Sequence, residues 1–170
     1  MPRNLELKAA TSSLTRAAAT ARSLPARRAG VFFQTDTYFN VAAGRLKLRV
    51  VRGSGAELIG YRRPDRRGPR ISNYRRTPVA NGSEMRKILG RALGIRSTVQ
   101  KRRVVFLYKN ARIHLDNVRG LGTFIEFEVL VRRGMPQAKA LMKHLKSMFQ
   151  IHPTDVRSGS YGDRNTRNIA

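Results

Sequence analysis

Charged and apolar residues alternate at a spacing of two in one segment after another of this chain, most strictly in Arg45-Leu46-Lys47-Leu48-Arg49-Val50. A β-strand turns successive side chains to opposite faces, so each such segment makes a strand with one charged face and one apolar face. The same parity gathers Asn4, Glu6 and Lys8, then Lys101 and Arg103, then Arg112, His114 and Asp116, then Glu126 and Glu128. Their opposite faces hold Leu5 and Leu7, Ile113 and Leu115, and Ile125, Phe127 and Val129. One strand of this kind is ordinarily half of a sheet whose polar face meets water. Repetition with both signs of charge also fits a sheet closed on itself with the charged faces inward. Buried charges persist only when paired, or when they bind a metal or an anion. The expected fold is therefore α+β, an eight-stranded antiparallel β-barrel or deeply curved sheet with flanking helices.

Propensity and punctuation place the elements. Strands are expected over Asn4–Lys8, Val31–Val41, Arg45–Val50, Glu57–Arg63 and Arg70–Val79. Ser97–Leu115 reads as two strands joined near Lys109-Asn110, and Leu121–Val131 as the last strand. Helices are expected over the alanine-rich Thr11–Leu24, over Glu84–Leu93 with Ser83 as its N-cap, and from Pro136 to about Phe149. One domain spans 1–161, and a polar tail, 162–170, is expected to be loose.

The chain carries 35 Lys and Arg against 10 Asp and Glu, a net charge of +25. Such an excess repels itself unless anions screen it, which a nucleic acid, an anionic membrane or a strongly anionic substrate would each do. There is no cysteine, which excludes disulfides and thiolate metal sites. No apolar run approaches a membrane span and no secretory leader is evident, so a cytoplasmic location without membrane attachment is expected.

Four acids stand out in this basic background: Glu6, Asp116, Glu126 and Glu128. Glu126 and Glu128 share a strand face, and two carboxylates held together repel unless a cation lies between them. Bases gripping phosphate oxygens beside acids gripping a divalent cation would account for both signs. The Arg-rich loops around RRPDRRGPR and NYRRTP point to nucleic acid as a secondary partner. Stacking recognition finds little support in a chain with no Trp and 7% aromatics. His114 reads as solvated or phosphate-contacting, Asp36 and Tyr38 as structural or rim residues, and Tyr161 as a closure of one barrel mouth or part of a frayed tail.

In order and spacing, these motifs resemble the CYTH family, the triphosphate tunnel metalloenzymes, which include class IV adenylyl cyclases, thiamine triphosphatases and inorganic tripolyphosphatases. The family's opening Glu-x-Glu-x-Lys strand is matched by Asn4-Leu5-Glu6-Leu7-Lys8, with Asn4 replacing the first glutamate. Its basic strand is matched by Leu46-Lys47-Leu48-Arg49, its Lys-x-Arg pattern by Lys101-Arg102-Arg103, and its late Ser-Tyr by Ser160-Tyr161. The acidic strands correspond to Arg112–Asp116 and Gly120–Glu128, and QTDTYF, GRLKLR and ELIGYRRPD are most similar to the class IV adenylyl cyclase-like branch.

The resemblance implies an eight-stranded tunnel that cleaves a P–O–P bond with Mg²⁺ or Mn²⁺. It implies Glu6, Asp116, Glu126 and Glu128 as metal ligands, and Lys8, Lys47, Arg49, Arg62, Arg75, Lys101, Arg103 and Arg112 as phosphate ligands. Glu6, Lys8, Glu126 and Glu128 would be catalytic. With Asn4 in place of a carboxylate, a second metal would bind more weakly. The substrate would be inorganic polyphosphate or an organic triphosphate such as ATP or thiamine triphosphate. No adenine-reading motif is evident, which favours hydrolysis over cyclisation of ATP to cyclic AMP and pyrophosphate. A non-catalytic polyphosphate or nucleic-acid binder is the reading from another class, and the chain is expected to be a monomer or homodimer.

Overall fold

The computed structural model of the protein describes residues 3–163, and within them the alternating segments become one closed barrel. The elements are β1 (Arg3–Ala10), α1 (Leu14–Ser23), β2 (Arg27–Phe39), β3 (Arg45–Val51), β4 (Gly55–Arg62), β5 (Arg70–Val79), α2 (Gly82–Leu93), β6 (Ile95–Tyr108), β7 (Ala111–Val118), β8 (Gly122–Leu130) and α3 (Met135–Met148). Around the barrel the strands run β1-β5-β4-β3-β2-β6-β7-β8, every neighbour antiparallel, with β8 pairing back onto β1. The expected eight strands, three helices and closed antiparallel barrel are all present.

The apolar core lies outside the barrel wall. Leu5, Leu7, Ile113, Leu115, Ile125, Phe127 and Val129 turn outward from β1, β7 and β8. They are buried with Ala17 and Ala21 of α1 and with Ala138, Leu141, Met142 and Leu145 of α3. Each large side chain so buried contributes about 1.5–3 kcal/mol. With the apolar faces taken by helices, the charged faces turn inward. The sheet thus meets both demands of the alternation, helices outside and charge inside.

Local boundaries differ from expectation where short polar residues compete for the cap. Ser13 caps α1 by accepting from the Arg16 N–H at 3.1 Å. Asn81, not Ser83, caps α2: its Oδ1 accepts from the Glu84 N–H at 3.0 Å, so the helix begins at Gly82. Gly94, at φ 76°, ends α2 in a conformation that other residues resist. β2 begins at Arg27 because its ladder with β6 continues past an irregularity between Arg28 and Gly30.

One end of the barrel is occupied by the chain that follows α3. Val156 bridges to Ala9, the Arg157 N–H donates to the Lys8 carbonyl, and fully buried Arg70 donates to the carbonyls of Arg157 and Gly159. Tyr161 is buried edge-on against Phe124, within a second apolar cluster that includes Tyr38, Val99 and Val118. Tyr161 is thus buried and lines the barrel interior, and is not part of a frayed tail. Gly162 and Asp163, expected in a loose tail, are instead held by Ser97, Ser160 and Arg45. The rest of that tail, 164–170, lies outside the described residues.

Gly162 sits so close to Tyr38 that an added Cβ would meet the ring at 2.6–2.8 Å. Gly162→Ala is therefore expected to destabilise the protein by about 1–3 kcal/mol, read as a lowered Tm, by displacing this segment from the barrel end.

Candidate functional site

The barrel interior holds a cavity of about 110 Å³ lined almost wholly by charged and hydroxyl-bearing side chains. Cross-strand register assembles its acidic wall. Glu126 of β8 lies opposite Lys8 of β1 on one side and His114 of β7 on the other, and Glu128 lies opposite Glu6 and Arg112. His114 Nδ1 is 3.6 Å from Glu126 and 3.9 Å from Glu128, and Lys8 Nζ is 3.8 Å from Glu126. Burial alone would raise the Glu126 carboxyl, but Lys8, His114 and Arg103 outweigh it and hold the group well below its usual range. Glu6 goes the other way: burial and the neighbouring Glu128 raise its carboxyl despite Arg63, whose Nη1 donates to it at 2.8 Å.

The basic wall is organised by one buried acid. Asp36 on β2 has no solvent exposure and accepts from Arg49 through two bonds (2.7 and 2.9 Å), from Lys101 at 3.0 Å and from Lys47 at 3.2 Å. Burial would raise its carboxyl, but these three cations hold it well below the ordinary value. Asp36 is thus the positioning residue for the basic wall, rather than a residue of the rim. The lysines run short of compensation: burial first, then Arg49, lowers Lys47 to about 7 against the opposing pull of Asp36. Lys8 is lowered to about 8, chiefly by burial.

The expected residues do not all converge. Glu6, Lys8, Lys47, Arg49, Lys101, Arg103, Arg112, Glu126 and Glu128 line the cavity. Arg62 and Arg75 do not: both are exposed on the outer wall, because each stands one residue off the inward parity of its strand. Arg63 and Arg76 take the inward positions, with Tyr61 and Tyr74 beside them. Arg63 has two buried N–H groups, Nε and Nη2, without an acceptor among the described residues, which suits it to an anion. Asp116 is engaged by other partners. Its oxygens accept from Arg103 (2.7 and 2.6 Å) and from the Tyr161 hydroxyl at 2.8 Å. Arg103 also donates to Glu126 at 2.7 Å, so Asp116 steadies the base rather than joining the acidic group.

Among the described residues, His114, Glu126 and Glu128 can each present one ligand atom within 4.8 Å of the others. Two observations fit a divalent cation there. His114 Nδ1 is buried with no hydrogen-bond partner, and so is Oδ1 of the cavity-lining Asn4. Carboxylate and imidazole donors together suit a divalent cation. His114 is accordingly 4% exposed and at the centre of the acidic wall, not solvated.

Comparison with known proteins agrees with this architecture. A family model, the CYTH domain, matches residues 2–156, and the chain belongs to the CYTH family. Similar solved structures include a protein from Pyrococcus horikoshii, at TM-score 0.85 and 19% identity, covering 94% of this chain and 98% of that one. A conserved hypothetical protein from Pyrococcus furiosus has TM-score 0.84 and 20% identity, with 94% and 98% covered. A Vibrio parahaemolyticus protein named as a candidate adenylate cyclase has TM-score 0.76 and 16% identity, with 94% and 95% covered. At these identities the likeness establishes the fold. No curated protein matches the chain. Among the described residues, no helix is long and apolar enough to cross a membrane.

Removing the charge of Asp36 leaves three cations facing one another. Asp36→Asn is expected to lose about 3–5 kcal/mol of stability. Added tripolyphosphate should raise the Tm of the variant by more than that of the wild type, since the anion replaces the lost charge; paired thermal melts check this.

Proposed function

We propose that the protein is a divalent-metal-dependent enzyme that hydrolyses a P–O–P bond of a triphosphate held inside the barrel. The observation that carries this reading is the facing of two walls across one cavity. Lys47, Arg49 and Lys101 line one part of it and Glu126 and Glu128 another, with His114 grouped beside those two carboxylates. Arg63, with its unpaired donors, extends the basic surface.

The phosphate chain lies along Lys8, Lys47, Arg49, Arg63, Lys101, Arg103 and Arg112, whose charges orient it and offset its own. Glu126, Glu128 and His114 would hold the metal, with Glu6 and Asn4 lining the same cavity, and a bound divalent ion would supply Lewis-acid polarisation of the phosphate. A water oxygen bonds to phosphorus while the bridging P–O bond breaks and its electron pair leaves on the departing phosphate. A carboxylate of the acidic wall takes the water's proton, and the bases stabilise the charge on the leaving oxygen. Cyclisation of ATP would use the same walls with a ribose hydroxyl in place of water. No adenine-reading group is recognised, so hydrolysis is preferred.

Product analysis with Mg²⁺ or Mn²⁺ and tripolyphosphate, thiamine triphosphate or ATP tests the proposal. Orthophosphate release is expected, with a loss of about 100-fold or more in Glu126→Gln and Glu128→Gln. Cyclic AMP with pyrophosphate from ATP would establish cyclisation instead. Tight tripolyphosphate binding without turnover of any substrate would make the cavity a binding site.

Lys47 supplies a pH signature. With its ammonium lowered to about 7, it is largely neutral above that pH in the free protein. Anion binding favours the charged form, so binding at about pH 8 should take up protons, and affinity should fall as pH rises from about 7 to about 9. Calorimetry in buffers of different ionisation heat measures the uptake, and Lys47→Arg should reduce it.

A further inference from the structure

Among the described residues, no helix covers the outer face of the ribbon formed by β2 and β6 midway along its length. α1 packs on β7 and β8, α3 on β8 and β1, and α2 reaches only the far end of β2, where Arg86 donates to Thr37 at 3.3 Å. On the uncovered stretch, Phe33 is 46% exposed. An arginine flanks it on each side. Arg102 of β6 is its direct cross-strand partner, and the Arg52 N–H donates to its carbonyl from the end of β3. The Arg52 guanidinium lies 5.2 Å from the ring centroid. Beside this row, Arg119 Nη1 donates to Gln100 Oε1 at 3.0 Å, and Asn117 stands opposite Arg102. Together these residues line a groove of about 650 Å³ without a single acidic side chain.

We propose that this groove binds single-stranded nucleic acid, with a base stacked on Phe33 and phosphates held by Arg52, Arg102 and Arg119. An exposed ring supplies a sequence-tolerant stacking surface, guanidiniums track the backbone, and the Gln100 and Asn117 amides can meet base edges. A second copy of the chain is a poor occupant, because a two-fold contact would set these arginines against themselves with no acid to pair them. A duplex is a poor occupant too, since its bases are already stacked. Phe33, Arg52, Arg102 and Arg119 do not line the cavity, although Lys101 borders both it and the groove.

Fluorescence anisotropy with a labelled oligouridylate of about 12 nucleotides, titrated with salt, tests this. Phe33→Leu, which keeps the apolar bulk and loses the aromatic face, should weaken binding about 10-fold, and Phe33→Tyr should restore it. Arg102→Glu should weaken binding and lower the salt slope by about 1. Arg22→Glu on α1, an equal change of charge at another exposed site, should do far less. Equal loss in Arg102→Glu and Arg22→Glu would overturn the proposal in favour of diffuse attraction, and an unchanged affinity in Phe33→Leu would also overturn it. So would equal affinity for a duplex of the same length. Phe33-dependent binding to anionic lipid vesicles, or Phe33-dependent dimerisation, without binding to the oligonucleotide would replace nucleic acid as the occupant.

Discussion

A charge taken out of water must find an opposite charge, and the interior of this barrel is built around that requirement. The helices outside cover the apolar faces of β1, β7 and β8, and the charged faces of those strands turn inward. Asp36 answers three cations at once, Asp116 answers Arg103, and Glu126 answers Lys8, Arg103 and His114 in different directions. Even so the accounts do not balance. Two lysines are held partly uncharged near neutral pH, and among the described residues two N–H groups of Arg63 lack acceptors while Asn4 Oδ1 and His114 Nδ1 have no hydrogen-bond partner. An anion beside the bases and a cation beside the acids would complete both walls. Binding and folding stability are therefore coupled in this protein, because whatever fills the cavity also relieves its buried charges.

The amino-acid pattern made the barrel legible because charge and period agreed on β1, β3, β6, β7 and β8. Glu6, Lys8, Lys47, Arg49, Lys101, Arg103, Arg112, Glu126 and Glu128 all follow from parity alone, and all line the cavity. β4 and β5 were less readable. On β4, Glu57, Ile59 and Tyr61 share one face, while Leu58, Gly60 and Arg62 share the other, so both faces are mixed and hydropathy cannot choose between them. The choice falls to register: Arg49 is opposite Glu57 and Lys47 opposite Ile59, which carries the inward parity on to Arg63. The same argument runs through Tyr61 opposite Tyr74 to Arg76. Asp36 was obscure for another reason. Its role depends on cations from two neighbouring strands, and nothing local to VFFQTDTYF announces them. The cap of α2 turned on a contest between Asn81 and Ser83 that only backbone geometry decides.

The division of charge between inside and outside is as telling as the total. Of the ten acids, Glu6, Asp36, Glu57, Asp116, Glu126 and Glu128 face the interior, where bases already need them. The exterior is left with very few, and its arginines stand largely unopposed. That imbalance explains how a cavity requiring both signs can sit in a protein whose surface presents one, and why polyanions would meet a long-range attraction from any direction of approach.

The position of β1 has a consequence for how the protein is made. Of the eight described strands β1 is synthesised before the others, yet it is held between β5 and β8, and β8 is the last of the eight. Lys8 and Glu6 must wait for Glu126 and Glu128, and the barrel end must wait for the segment around Tyr161. Pairing between the two extremes of a sequence is a slow, late event in folding. A nascent chain therefore carries the charged strand without its partners, and the paired interior comes into being as a unit only after nearly all of the described polypeptide has been made.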